Sequence, residues 1–152
     1  MKRLTKTVAS FFYIGHSPLT PGTFGSMAGL GIYFLVKNNT ILYAFCVIFL
    51  FALGIIFTTE AENIYKRKDA RMIVIDEVSG MLQALFMVPY SLAGALAGFL
   101  LFRLFDITKP PPARRVEKFT GSFGIMFDDI IAALYTNFIL QIIFRIACRM
   151  TL

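Results

Sequence analysis

The chain has 152 residues, of which 57% are hydrophobic and 16% charged, against about 25% charged residues in soluble domains. A domain this small has too much surface to cover with so few polar residues, which excludes a water-soluble monomer and equally a disordered chain. The net charge of +6 is spread in short clusters between apolar runs, the pattern of membrane-flanking loops and not of a nucleic-acid-binding face.

A mean hydropathy of +0.71 therefore points to an integral membrane protein, and the elements can be taken in chain order. Residues 1–14 read as an amphipathic interfacial helix, with no cleavage pattern for a signal peptide. Five apolar segments follow: Phe24–Val36, Ile41–Thr59, Ile73–Val88, Ser91–Phe105 and Phe127–Phe144. The second is the one clean span, 19 residues without a charge, enough for a hydrocarbon core of about 30 Å. The third contains Asp76, Glu77 and Gln83, and the fourth is rich in small residues that permit close helix packing in lipid. The turn at Asn38-Asn39-Thr40 matches a glycosylation sequon but reads as a plain turn. Cys46 and Cys148 have no metal-binding spacing and read as packing residues.

The expected fold is all-α: a compact multi-pass transmembrane bundle of about five membrane segments plus the interfacial helix, as one domain over residues 1–152. With the N-terminus in the cytoplasm and all five segments crossing, eleven Lys and Arg residues fall on the cytoplasmic side and three on the other. That is a strong positive-inside bias.

The nine acidic residues are more telling. In this topology every one lies at the cytoplasmic side or in the first turns of a helix entering from it. Asp76-Glu77 opens the third segment, Asp106 closes the fourth and Asp128-Asp129 opens the fifth. Each has a plainer reading. Asp128 or Asp129 could cap a helix, and Asp106 could pair with Arg103 three residues earlier. Acids at membrane depth are costly, however, and usually mark a functional site. Carboxylates gathered together repel unless protonated or neutralised, and oxygen donors without Cys or His suit a hard cation such as Mg2+. The lone His16 reads as a loop residue.

Two other constellations stand out. In Gly15-His16-Ser17-Pro18-Leu19-Thr20-Pro21-Gly22-Thr23-Phe24-Gly25-Ser26, Gly22 and Gly25 permit close approach, while Thr23 and Ser26 supply hydroxyls. A Gly-rich loop before a helix can cradle phosphate, although the prolines would equally suit a simple turn. The second runs from Arg103 through Asp106 and Lys109 to Arg114-Arg115. Its arginine pair is explained by anionic lipid, whereas Lys109 is a candidate for a ligand phosphate.

Together these residues resemble the bacterial phosphatidylglycerophosphatase A family. The resemblance rests on Gly15 to Ser26, on Asp76-Glu77-Val78-Ser79-Gly80-Met81, and on Phe102-Arg103-Leu104-Phe105-Asp106-Ile107-Thr108-Lys109-Pro110-Pro111-Pro112 followed by Ser122-Phe123-Gly124-Ile125-Met126-Phe127-Asp128-Asp129. Thr20, Glu117-Lys118, Ser122 and Ala133 depart from the usual pattern, and none of these changes removes a carboxylate. The resemblance implies a Mg2+-dependent enzyme converting phosphatidylglycerophosphate to phosphatidylglycerol at the cytoplasmic face of the bacterial inner membrane. On that reading Asp76, Glu77, Asp128 and Asp129 hold Mg2+. Gly22, Thr23, Gly25 and Ser26 grip the phosphoryl group with Lys109 and Arg103, and Asp106 positions a cation, acts as base or serves as nucleophile. The rivals are a small ion or metal transporter, which needs polar groups through the whole bilayer depth, and a non-catalytic membrane assembly subunit.

Overall fold

The computed structural model describes residues 2–150, so Met1 of the expected interfacial helix lies outside the described residues. The helices are α1 (Lys2–Ala9), α2 (Pro21–Val36), α3 (Thr40–Tyr65), α4 (Ile75–Leu85), α5 (Leu92–Thr108), α6 (Ala113–Val116) and α7 (Ser122–Met150), with a 3-10 turn at Ile14–His16. No strand occurs among the described residues, so the all-α reading holds.

Two helices are long and apolar enough to cross a membrane, α3 and α7. Their most apolar windows have mean hydropathies of 2.7 and 1.8, yet only 11% and 22% of each window is buried. The core helix of a soluble protein would hide such a surface. Here Ile41, Ile48 and Ile56 of α3 and Leu134 and Phe138 of α7 face outward, as a lipid-facing surface requires. The other three expected segments are shorter: α2 has 16 residues, α5 has 17 and α4 only 11. At 1.5 Å per residue α4 is about 16 Å long, half of a hydrocarbon core.

α4 is short for local reasons and buried for tertiary ones. Before it, the Val74 N–H donates to the Ala9 carbonyl at 2.9 Å, which takes the chain out of helical geometry. After it, Phe86 turns extended. Nearly all of its side chains are buried, and Val78, Met81, Leu82 and Leu85 join Tyr33, Phe102 and Leu140 in the main core. A helix that stops inside a bundle leaves carbonyls unpaired. Asn137 of α7 donates to the carbonyls of Ala84 and Phe86 at 3.1 and 2.8 Å, and the Tyr43 hydroxyl donates to that of Leu82 at 2.7 Å.

The helices run back and forth between two ends. One end collects the start of α2, the close of α3, the start of α4, the close of α5 and the start of α7; there the Ser122 and Gly121 N–H groups donate to Thr59 and Glu62. The other gathers the Lys37–Thr40 turn, where Asn39 caps α3 by accepting from the Leu42 N–H, with the Phe86–Tyr90 segment.

The interfacial helix is shorter than expected. It ends at Ala9, because Phe11, Phe12 and Tyr13 take left-handed backbone angles (φ 43°, 54° and 68°). Leu4, Phe12 and Tyr13 remain exposed, and a Thr5–Glu60 hydrogen bond of 3.0 Å ties the helix to α3. Cys46 packs against the core as expected, whereas Cys148 is exposed.

Candidate active site

Asp76 and Glu77 stand in the first turn of α4, where the helix dipole favours negative charge. Asp128 and Asp129 lie two turns into α7, which begins at Ser122 and not at Phe127. They are therefore too deep in the helix to cap it. Gly80 brings the two helices together: a Cβ there would stand 3.3 Å from the Asp129 Cβ and 2.7 Å from the Phe102 ring.

The result is a cluster of three carboxylates. Ligand oxygens of Asp76, Glu77 and Asp129 lie within 4.8 Å of one another, and each group has one buried oxygen without a hydrogen-bond partner. Orphaned buried oxygens are expensive. Three carboxylates at this spacing in a low-dielectric site repel unless they are protonated or a positive charge sits among them. The donor set is carboxylate oxygen only, with no nitrogen or sulfur, and it fits a hard divalent cation.

Around the cluster, two features differ from the sequence expectations, and a third, the Asp106 pairing, matches one of the readings given there. Asp128 does not join the group. Its Oδ2 accepts from Lys109 Nζ at 2.7 Å, and the same ammonium pairs with Glu117 at 3.0 Å. Burial works against the charge on Lys109, but these two partners outweigh it and raise its pKa, so Lys109 is a cation already neutralised. Asp106 forms the i, i+3 ion pair with Arg103, at 2.6 Å. Finally, the expected phosphate loop is helical from Pro21 onward. Gly22, Gly25 and Gly29 form a stripe along α2 that lets it lie against α4, since a Cβ at each would meet Glu77, Val74 or Val78.

Gly22 is the tightest of these points. A Cβ there would collide with Glu77 Oε1 and come within 3.2 Å of both terminal nitrogens of Arg103. Arg103 in turn donates to Ser26 Oγ at 3.3 Å, while Ser26 donates to the Gly22 carbonyl at 3.0 Å. The buried Arg103 Nε has no partner. From Glu77 and Arg103 a cleft of about 320 Å3 opens past Gly22 and Thr23. A pocket floored by carboxylates with a guanidinium on the wall can hold a cation and, against it, an oxyanion such as phosphate.

Several residues in or supporting this site escaped the sequence reading. Asp69 and Arg71 line the cleft, yet in the sequence they merge with the charged run from Lys66 to Arg71, which topology alone explains. Glu117 pairs with Lys109 across a proline-rich turn, a contact that no spacing rule predicts. Asn137, which satisfies the end of α4, sits with Thr136 and Gln141 in an otherwise apolar stretch of helix, and polar groups there are a usable signal.

The chain matches the model of the family described as phosphatidylglycerophosphatase A over residues 7–144. It is 42% identical over 123 residues to phosphatidylglycerophosphatase A of Haemophilus influenzae, covering 76% of this chain and 73% of that protein. With phosphatidylglycerophosphatase A of Escherichia coli it shares 33% identity over 135 residues, 87% of this chain and 78% of the relative. A Bacteroides thetaiotaomicron protein provisionally named phosphatidylinositol-3-phosphatase is 35% identical over 155 residues, 93% of this chain and 96% of its own length. No solved structure matches the chain.

Proposed function

The chain belongs to the phosphatidylglycerophosphatase A family, and from that membership and the carboxylate cluster we propose how it removes phosphate from a lipid. The substrate is phosphatidylglycerophosphate. Water cleaves its terminal phosphomonoester, giving phosphatidylglycerol and inorganic phosphate. The observation that carries this reading is the set of three unpartnered, buried carboxylate oxygens on Asp76, Glu77 and Asp129 in a member of a phosphatase family.

Asp76, Glu77 and Asp129 hold a divalent cation, for which Mg2+ suits the all-oxygen donors; bound there, it supplies Lewis-acid neutralisation of the phosphoryl charge. The protein's own groups do the rest. Arg103 presents its guanidinium to a phosphoryl oxygen, with its planar fork held by the Asp106 ion pair and by Ser26. Asp106 is thus a positioning residue. Thr23 offers a hydroxyl from the cleft wall, and Gly22 keeps that wall thin enough for a phosphate to reach Glu77. The Lys109–Asp128 pair fixes the close of α5 against α7, and so the distance between Arg103 and Asp129.

We further read the protein as a multi-pass protein of the bacterial inner membrane. The alternation of helix ends and the eleven-to-three Lys and Arg bias support five segments running between the two faces, with α4 a half-length segment that is sheltered, like α2 and α5, by α3 and α7. They also support a cytoplasmic N-terminus and a site at the cytoplasmic face. A transporter needs polar groups through the whole bilayer depth, whereas the carboxylates brought together here, Asp76, Glu77 and Asp129, gather at one end of the bundle.

The test is phosphate release by purified protein from phosphatidylglycerophosphate in mixed micelles. Release should require a divalent cation, stop on chelation, and fall at least about 100-fold in Asp129→Asn, with the variant's melting temperature retained. Undiminished turnover by that variant at ordinary Mg2+ would overturn the ligand assignment.

A further inference from the structure

The cleft that leads to the carboxylates carries two guanidinium groups at different depths. Arg103 lies inside, its side chain only 16% exposed. Arg71 lies outside, exposed, on the loop between α3 and α4. Its Nη2 donates to the Leu19 carbonyl at 3.1 Å, which spends one of its five donors and holds the group against the wall. Two aliphatic side chains share the cleft with it, Leu19 at 75% and Ile107 at 71% exposed.

An outer cation between exposed aliphatic side chains has a natural counterpart in a membrane lipid. The phosphodiester of a phospholipid is an anion placed immediately beneath hydrocarbon. Arginine binds phosphate through parallel N–H donors, while Leu19 and Ile107 can pack on the glycerol and the first methylenes. The inner guanidinium beside Glu77 suits a second, more deeply seated phosphate. Asp69 lines the same cleft. Being acceptor-only, it disfavours a further anion there and suits a hydroxyl of the bridge between the two phosphates.

We propose that Arg71 is a specificity-determining residue that binds the phosphodiester of the lipid whose terminal phosphomonoester lies at Arg103, so that the cleft selects phospholipids carrying both groups over lipids with a monoester alone. The inference rests on the lipid phosphatase reading above. It adds a role for a side chain outside the three-carboxylate cluster.

Two measurements on Arg71→Gln test it, with Arg71→Lys as the conservative variant and melting temperature in detergent as the folding control. The first compares turnover of phosphatidylglycerophosphate with that of phosphatidic acid, which has a monoester and no diester. The preference for the former should fall about tenfold in Arg71→Gln, through KM and not kcat, with partial recovery in Arg71→Lys. A preference unchanged within twofold would overturn the proposal. The second measures binding of phosphatidylglycerol, which has the diester only, to solubilised protein by native mass spectrometry. Affinity should fall about tenfold in Arg71→Gln, and equal binding by both proteins would refute the Arg71 role whatever the turnover. If the wild-type protein turns over neither lipid but phosphatidylglycerol binding still depends on Arg71, the substrate reading fails and the diester contact stands.

Discussion

At the end of the bundle where α2 turns into α3, Lys37 Nζ lies 3.7 Å from the centre of the Tyr90 ring, and Tyr43 packs edge-on to Tyr33 and Phe86 at 5.8 and 5.2 Å while donating to the Leu82 carbonyl. At the opposite end, Asp76, Glu77, Asp129 and Arg103 each keep a buried polar atom without a partner. Both ends line clefts, of about 270 and 320 Å3, and both contain charge. One end spends its polar groups on holding helices together, and the other, beside its ion pairs, keeps a set of them unpaired. Buried polar groups in folded proteins are nearly always paired, so groups left unpaired together make this end the candidate binding site.

The contrast can be broken by substitutions that ought to separate activity from stability. The largest effect should come from the unsatisfied end. Asp129→Asn removes one of the proposed cation ligands and should abolish most turnover without lowering the melting temperature. Gly22→Val comes next: its Cβ would displace Glu77 and crowd Arg103, and a misplacement of about 1 Å near the reacting groups can cost about 100-fold in rate. Steady-state kinetics should record that loss, and circular dichroism should show the helices intact.

The satisfied end should respond in the other way. Asn137→Leu strips hydrogen bonds from the carbonyls at the close of α4 and should destabilise the protein by about 1–3 kcal/mol. The folded fraction should keep its kcat, because the carboxylates lie at the other end of α4. Smallest of all, Lys37→Met loses a cation–π contact worth about 0.5–1 kcal/mol at an exposed site, a shift of a few degrees at most in a thermal melt. A large drop in kcat for either variant, with stability unchanged, would mean that the two ends are coupled.

Much of this plan was legible in the sequence, and the gaps have physical causes. α3 is visible because an uninterrupted apolar run of that length has one stable use. The convergence of acids on one end follows from alternating segments with acids at matching termini, a global pattern that hydropathy carries. The apolar run marks the start of α2 only at Phe24, because Pro21 and Gly22 read as a loop, whereas the helix begins at Pro21. Proline is at home in the first helical turn, and glycine there serves contact with α4, which is a tertiary reason. α4 was extended beyond Leu85 for a similar cause: Phe86 to Val88 are apolar enough to continue a helix and stop because Asn137 and Tyr43 offer their carbonyls' partners elsewhere. Asp128 and Asp129 are adjacent in sequence and chemically identical. Only packing, which brings Lys109 to one and α4 to the other, gives them different work.

Titration of detergent-solubilised protein with Mn2+, followed by electron paramagnetic resonance as a probe for the divalent site, tests the central claim most directly. The wild-type protein should bind the ion saturably, Mg2+ should compete for it, and both Glu77→Gln and Asp129→Asn should lose the site while remaining helical. Saturable binding that survives both substitutions, or no saturable binding by the wild-type protein, would contradict the account.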